Sequence, residues 1–237
     1  MIEKTQAIVL RTVKYSESSV ICKMYTRVFG MQSYMINGVR TGKSKSKAPL
    51  LQPMNLLLLE AYHREQKNLQ RIKEFSVEKI YNHLSVDVMR SAVGLFLCEV
   101  ILQSIKEEES NEVLFDFLHR QFLLLDETTT ALTFFPQQFL LQLSRYLGFY
   151  PSGNFSETTT CFSFEEGQFV SSLNYLQPGI SGNEAKLLSE LMNDELPATL
   201  NEGRRKLLHS LLQYFQMHIS DFGKIKSLAV LEEVLHA

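Results

Sequence analysis

Lys23, Tyr25 and Arg27 are spaced two apart in an apolar, β-favouring run. An extended backbone carries all three on one face, and Val20, Cys22 and Met24 on the other. Cations alternating with an aromatic ring suit a single-stranded nucleic acid: the charges meet phosphates, and the ring stacks on bases at about 1–3 kcal/mol each. If Phe29-Gly30 is a tight turn, Tyr34 is expected opposite Tyr25 on the next strand. Arg71, Lys73 and Phe75 repeat the alternation further along. The same residues admit a structural reading, with Tyr25 and Tyr34 as a cross-strand packing pair beside solvated lysines. Arg40, Lys43, Lys45 and Lys47 add four cations in eight residues, and several lysines that close together require an exposed loop.

Other chemistry is poorly served. Gly38-Val-Arg-Thr-Gly42-Lys43-Ser44 approximates a phosphate-binding loop, but three residues separate its glycines where four are needed. Ser44–Pro49 is also a poor start for the helix whose N–H groups would face the phosphates. The six histidines, His63, His83, His119, His209, His218 and His236, have neither metal-ligand spacing nor a nucleophile partner. There is no Gly-x-Ser-x-Gly sequence and no cysteine pair at zinc spacing. Glu107–Glu109 and Glu165-Glu166 read as solvated faces. No enzymatic activity is expected.

The elements that must position the basic residues are strands. Ala7–Val13, Val20–Phe29, Met31–Gly38, Asn55–His63 and Leu69–Val77 are β-branched or aromatic-rich runs separated by turn residues. Five strands in so short a stretch predict a small closed barrel of the OB type. After Tyr81 the period turns helical over Val86–Ile105, Glu112–Leu125 and Phe135–Leu147, with Pro136 in a first turn and Gly148 at a stop. A Thr/Gly-rich stretch then holds two strand-like pieces, Cys161–Phe164 and Gln168–Ser171, a candidate hairpin. Helices resume after a capping box, Ser181-x-x-Glu184, and continue over Glu202–Ile219 and Leu228–Leu235. The expected fold is α+β and multidomain: an OB barrel over residues 1–82, then an all-α domain over 83–237 with an irregular insert at 149–180.

Charge divides at the same boundary. Residues 1–82 carry 14 Lys and Arg against 6 Asp and Glu; residues 83–237 carry 10 against 20. A basic module joined to an acidic one predicts one surface that attracts a polyanion and one that repels it. Three widely spaced cysteines, Cys22, Cys98 and Cys161, fit reduced thiols in a cytoplasm. The longest apolar runs fall far short of the ~20 residues that span a bilayer, and the N-terminal stretch lacks a signal-peptide core, so no membrane partner is expected.

Gln6-Ala-Ile-Val-Leu-Arg11, Tyr15-Ser-Glu17, Tyr25-Thr-Arg-Val-Phe-Gly30, Gly38-Val-Arg40 with Lys43-Ser44, Leu147-Gly-Phe-Tyr-Pro151 and Lys226-Ser-Leu228 occur in that order along the chain. Together they resemble the bacterial RecO recombination mediators over nearly the whole length. The resemblance implies an N-terminal OB fold, a helical C-terminal domain and a role in homologous recombination and repair at the nucleoid. It implies binding and annealing of single- and double-stranded DNA, and loading of RecA, with RecR, onto strands coated by single-strand-binding protein. DNA contacts carry over to Arg11, Lys14, Arg27, Arg40 and the lysine loop, and to Arg204 and Arg205. Many members hold zinc with four cysteines after the Gly-Phe-Tyr-Pro turn. Here Cys161 stands alone there, without a histidine between residues 149 and 180, so no metal is expected.

The acidic, apolar-ended tail of single-strand-binding protein needs an apolar groove with a cation at its rim. Leu207, Leu208, Leu211 and Leu212 form a stripe one turn from Arg204 and Arg205, although the same stripe reads equally as core. Two further readings stay open. One is an OB protein that binds RNA, because stacking and phosphate contacts do not report the sugar. The other is a scaffold whose helical domain does the work.

Overall fold

Alternation of inward and outward residues builds the N-terminal barrel. The computed structural model describes residues 2–39, 47–64, 67–129, 132–173, 177–195 and 201–236. Strands β1 (Ile2–Lys14), β2 (Val20–Thr26), β3 (Gly30–Ile36), β4 (Leu56–Tyr62) and β5 (Gln70–Val77) close in the order β1-β2-β3-β5-β4. Every pairing is antiparallel except β3 with β5. The expected five-stranded OB-like barrel is therefore present, and its interior holds Val9, Cys22, Met24, Tyr34, Leu57 and Leu59. β1 starts five residues earlier than its β-favouring run because one long strand serves two neighbours. Its first half, Ile2–Ile8, pairs with β4, and Ala7–Lys14 pairs with β2 across a bulge between Val9 and Arg11.

Two helices belong with the barrel. α1 (Val88–Ser104) starts at Asp87, whose side chain accepts from the Arg90 N–H, and α2 (Glu112–Glu127) starts at Asn111, which accepts from the Leu114 N–H. The charge boundary at Asn82 marks the change from strand to helix, whereas the compact units divide further on. One unit comprises Met1–Thr129 with Ile225–Ser227; the other comprises Thr130–Lys224 with Leu228–Ala237. The first is locked by a buried carboxylate. Asp126 accepts from the backbone N–H groups of Asn82, His83 and Leu84 at 3.1, 2.8 and 2.8 Å. Arg90 in turn donates to the carbonyls of Leu125 and Thr128, closing the C-terminal end of α2. Glu99 accepts from the N–H groups of Lys226 and Ser227 and from the Ser227 hydroxyl, which gives the Lys226-Ser227 sequence a structural task.

The second unit is helical with a small sheet. α3 (Phe135–Tyr146) stops at Gly148, whose φ of +85° suits glycine. The expected hairpin gains a third strand: β6 (Cys161–Ser163) lies between β7 (Gln168–Val170) and β8 (Gly179–Ser181). α4 (Asn183–Met192), α5 (Asn201–His218) and α6 (Ser227–His236) follow. The capping box at Ser181 does not form. Ser181 ends β8, Gly182 occupies the cap without a side-chain bond, and the Glu184 carboxylate accepts from the Ser210 hydroxyl instead. Phe162 and Phe164 pack against Tyr214 of α5, whose hydroxyl donates to the Phe149 carbonyl at 2.7 Å, and Phe169 packs on Phe162. The sheet is thus held by aromatic packing onto α5, while Phe155 is half-buried and its N–H donates to Ser189 Oγ of α4.

Candidate nucleic-acid interface

Cross-strand registers place a continuous row of outward residues around the barrel. Val13 faces Ile21, Ile21 faces Met35, Met35 faces Arg71, Arg71 faces Tyr62, and Tyr62 faces Ile2. One row away, Arg11 faces Lys23, which faces Ser33. Directly opposed residues share a side of the sheet, so apolar groups run along this face with cations beside them. Lys14 lies exposed at the end of β1, opposite Val20. Arg11, Lys14, Lys23 and Arg71 make no ion pair among the described residues.

The β4–β5 connection extends this face with Arg64 and Lys67, which the alternation argument did not reach because they lie in a turn. The buried Gln70 organises them. Its amide donates to the carbonyls of Arg64 and Lys67 at 2.9 and 2.7 Å and accepts from the Arg64 N–H at 3.0 Å. Tyr62, Arg64, Lys67, Leu69, Gln70 and Arg71 line a cleft of about 420 Å³. Two basic residues shortly before a Gln that opens the last β-favouring run were the available signal.

Further along β2 the same outer face is covered. Lys23 and Tyr25 do share a side, but Tyr25 is 1 % exposed and packs against Phe115 of α2, ring centroids 6.3 Å apart. Burial, and next the charge of Glu107, push its hydroxyl pKa up to about 12. Tyr25 faces Met31 rather than Tyr34, while Tyr34 faces Cys22 inside the barrel. Neither tyrosine is placed to stack on a base, because each ring fills a core. Arg27 is held in place: its guanidinium meets Glu112 and Asp116 at 3.0 Å each and donates to Gln6 Oε1 at 2.9 Å. It ties the β2–β3 turn to α2 and is spent on that contact.

β5 departs from simple alternation for a different reason. A bulge between Glu60 and Ala61 in the register leaves Lys73 as the extra residue, so Arg71 points outward while Phe75 packs against the barrel core. Lys73 is paired with Glu60 at 3.0 Å, and Lys4 shares that carboxylate at 3.2 Å. Lys47 is exposed, with its ammonium 5.4 Å from the Phe75 ring centre. Arg40, Lys43 and Lys45 lie outside the described residues.

The proposed groove of the second unit is not there. Leu207, Leu208, Leu211 and Leu212 are all buried core. Arg204 is 6 % exposed and donates to the Leu235 carbonyl at 3.3 Å, and its burial lowers its pKa. Arg205 is exposed but paired with Glu232 at 2.9 Å, a carboxylate that His209 also reaches at 2.7 Å. The stripe repeats at helical spacing because α5 buries that side, and α6 occupies the rim where a peptide would end. Cys161 is likewise buried, and no group of three or more potential metal-ligating side chains occurs among the described residues. No helix is long and apolar enough to cross a membrane among those residues.

An OB-like closed barrel with one open, cation-flanked face, followed by a helical domain carrying a three-stranded sheet, defines the architectural class. Comparison with known proteins assigns the family. The domain described as "Recombination protein O N terminal" matches residues 1–81, and "Recombination protein O C terminal" matches residues 86–229. Proteins named DNA repair protein RecO resemble the chain almost end to end. That of Bacteroides fragilis is 34% identical over 242 residues, covering 99% of both chains. That of Christiangramia forsetii is 36% identical over 242 residues, again 99% of both, and that of Flavobacterium psychrophilum 34% over 238 residues, 98% of both. The chain belongs to the RecO family of DNA repair proteins.

Proposed function

We propose that this protein binds single-stranded DNA across the open part of the barrel's outer face and acts in recombinational repair without enzymatic chemistry of its own. The carrying observation is the division of that face. Where α2 covers it, its residues are buried or ion-paired, and on β4 and β5 Lys4 and Lys73 pair with Glu60; on the rest, Arg11, Lys23, Arg64, Lys67 and Arg71 have no carboxylate partner among the described residues. Like charges gathered without partners repel one another unless an anion covers them, and a phosphate backbone supplies that anion.

Annealing follows from the same property. A surface that neutralises phosphates lowers the repulsion between two complementary strands, and the paired product has fewer free bases to hold. We infer a wider role at the bacterial nucleoid, the loading of RecA together with RecR onto strands coated by single-strand-binding protein; membership in the family of DNA repair proteins supports it. The direct test measures binding of fluorescent oligodeoxythymidylate to wild type and to Arg11→Glu/Lys23→Glu, with RNA of equal length as competitor. Loss of affinity in the variant, with DNA outcompeting RNA, supports the reading. Unchanged affinity removes this face, and preferential capture of RNA replaces the substrate.

A further inference from the structure

We propose that Tyr62 is the residue on which a nucleobase stacks, so that the cleft at the start of β5 selects unpaired over paired DNA. This rests on the reading of the open face as a single-strand site and adds the group that reads the base. Both tyrosines of the second and third strands are consumed by packing, which leaves the face with phosphate contacts but no ring from those strands. Tyr62 supplies one. It ends β4 with 42 % of its surface exposed, directly across from Arg71, and shares its cleft with Arg64 and Lys67. A ring left in water beside three cations lacking ion-pair partners among the described residues is what a nucleotide satisfies at both ends. The base covers the ring, and its flanking phosphates meet the guanidinium and ammonium groups.

The site is also built in advance. Buried Gln70 fixes the backbone at Arg64 and Lys67 with three hydrogen bonds, so that binding leaves mainly their side chains to be ordered. The cleft volume of about 420 Å³ lies within the ~300–1,000 Å³ typical of pockets for small organic groups. Met35 and Ile21 continue the row beyond Arg71 and offer apolar contact to neighbouring bases. A duplex cannot use the ring, because its bases already stack on each other.

The experiment uses the full chain, oligodeoxythymidylate and a duplex of equal length. Tyr62→Ala and Tyr62→Leu should each weaken single-strand binding about 5- to 150-fold, while Tyr62→Phe keeps it. Duplex binding and the salt slope should stay those of wild type. In parallel, 5-iodouracil oligonucleotides should crosslink to the peptide containing Tyr62. If Tyr62→Ala binds single strands as wild type does, or loses single strands and duplex equally, stacking at Tyr62 is overturned while the phosphate face stands. If wild type itself binds no single strand at low salt, the proposed function fails instead, and the two failures are told apart.

Discussion

Arg11 and Lys23 face each other across β1 and β2 on the outer side of the barrel. Two residues further along β2, Tyr25 on the same side is already buried against Phe115. The edge of α2 therefore falls between Lys23 and Tyr25, and it separates the part of the face that holds the fold together from the part left for a ligand.

Arg27 tests which side of that edge a cation belongs to. Its pairing with Glu112, and then with Asp116, raises its pKa and holds the β2–β3 turn to α2. Arg27→Ala should lower the melting temperature measured by circular dichroism and leave the salt slope of single-strand binding unchanged. A flatter slope with unchanged stability would return Arg27 to the interface.

Gly30 should tolerate no side chain. Its φ is +60°, and a Cβ would clash with the Glu109 carbonyl and lie 2.7 Å from that of Glu107. Both atoms are backbone and cannot move aside. Gly30→Ala should destabilise by at least ~2 kcal/mol in urea unfolding. A neutral result would mean that the 107–109 segment is not seated on the turn.

Much of this was legible in the sequence, and the failures are local. The five strands read out because alternation has period two and turn residues separate the runs. Side-chain parity along β2 was also correct. What alternation cannot report is which part of an outer face another element covers, so Tyr25 and Arg27 read like Lys23. The bulge at Lys73 was invisible for a related reason: one extra residue reverses parity without a composition signal, and it turned Phe75 inward. On α5 an apolar stripe beside arginines looks the same whether it binds a peptide or the protein's own α6. Arg204 was decided by burial, which the sequence does not carry.

Acid should unfasten the first unit through Asp126. Burial alone would raise its pKa, but donation from the N–H groups of Leu84, His83 and Asn82 holds it below the ordinary 3.8. A depressed carboxylate stabilises fully above its unfolded value and loses that contribution as pH falls through the folded one. Stability should therefore drop as pH falls below about 3.8. Asp126→Ala leaves three backbone donors unpaired and should cost on the order of 3 kcal/mol or more near neutral pH. Equal stability of variant and wild type would show that water replaces the carboxylate.

The small sheet should depend on phenylalanine and not on metal. Phe162 is fully buried between Phe169 and Tyr214. Phe162→Ala should cost about 3–5 kcal/mol, while a strong chelator should leave thermal unfolding unchanged. Stoichiometric zinc surviving dialysis, with a chelator-dependent transition, would contradict this.

If cations that lack carboxylate partners among the described residues hold a phosphate backbone on the open barrel face, salt dependence reads that most directly. With about six phosphates neutralised on a single strand, log K should fall with log salt at a slope near −4. Arg11→Glu/Lys23→Glu should flatten the slope by about two units, whereas Arg205→Glu, on a residue already paired in the second unit, should leave it unchanged. A wild-type slope near zero, or a slope that responds to Arg205 and ignores Arg11 and Lys23, would place the interface elsewhere.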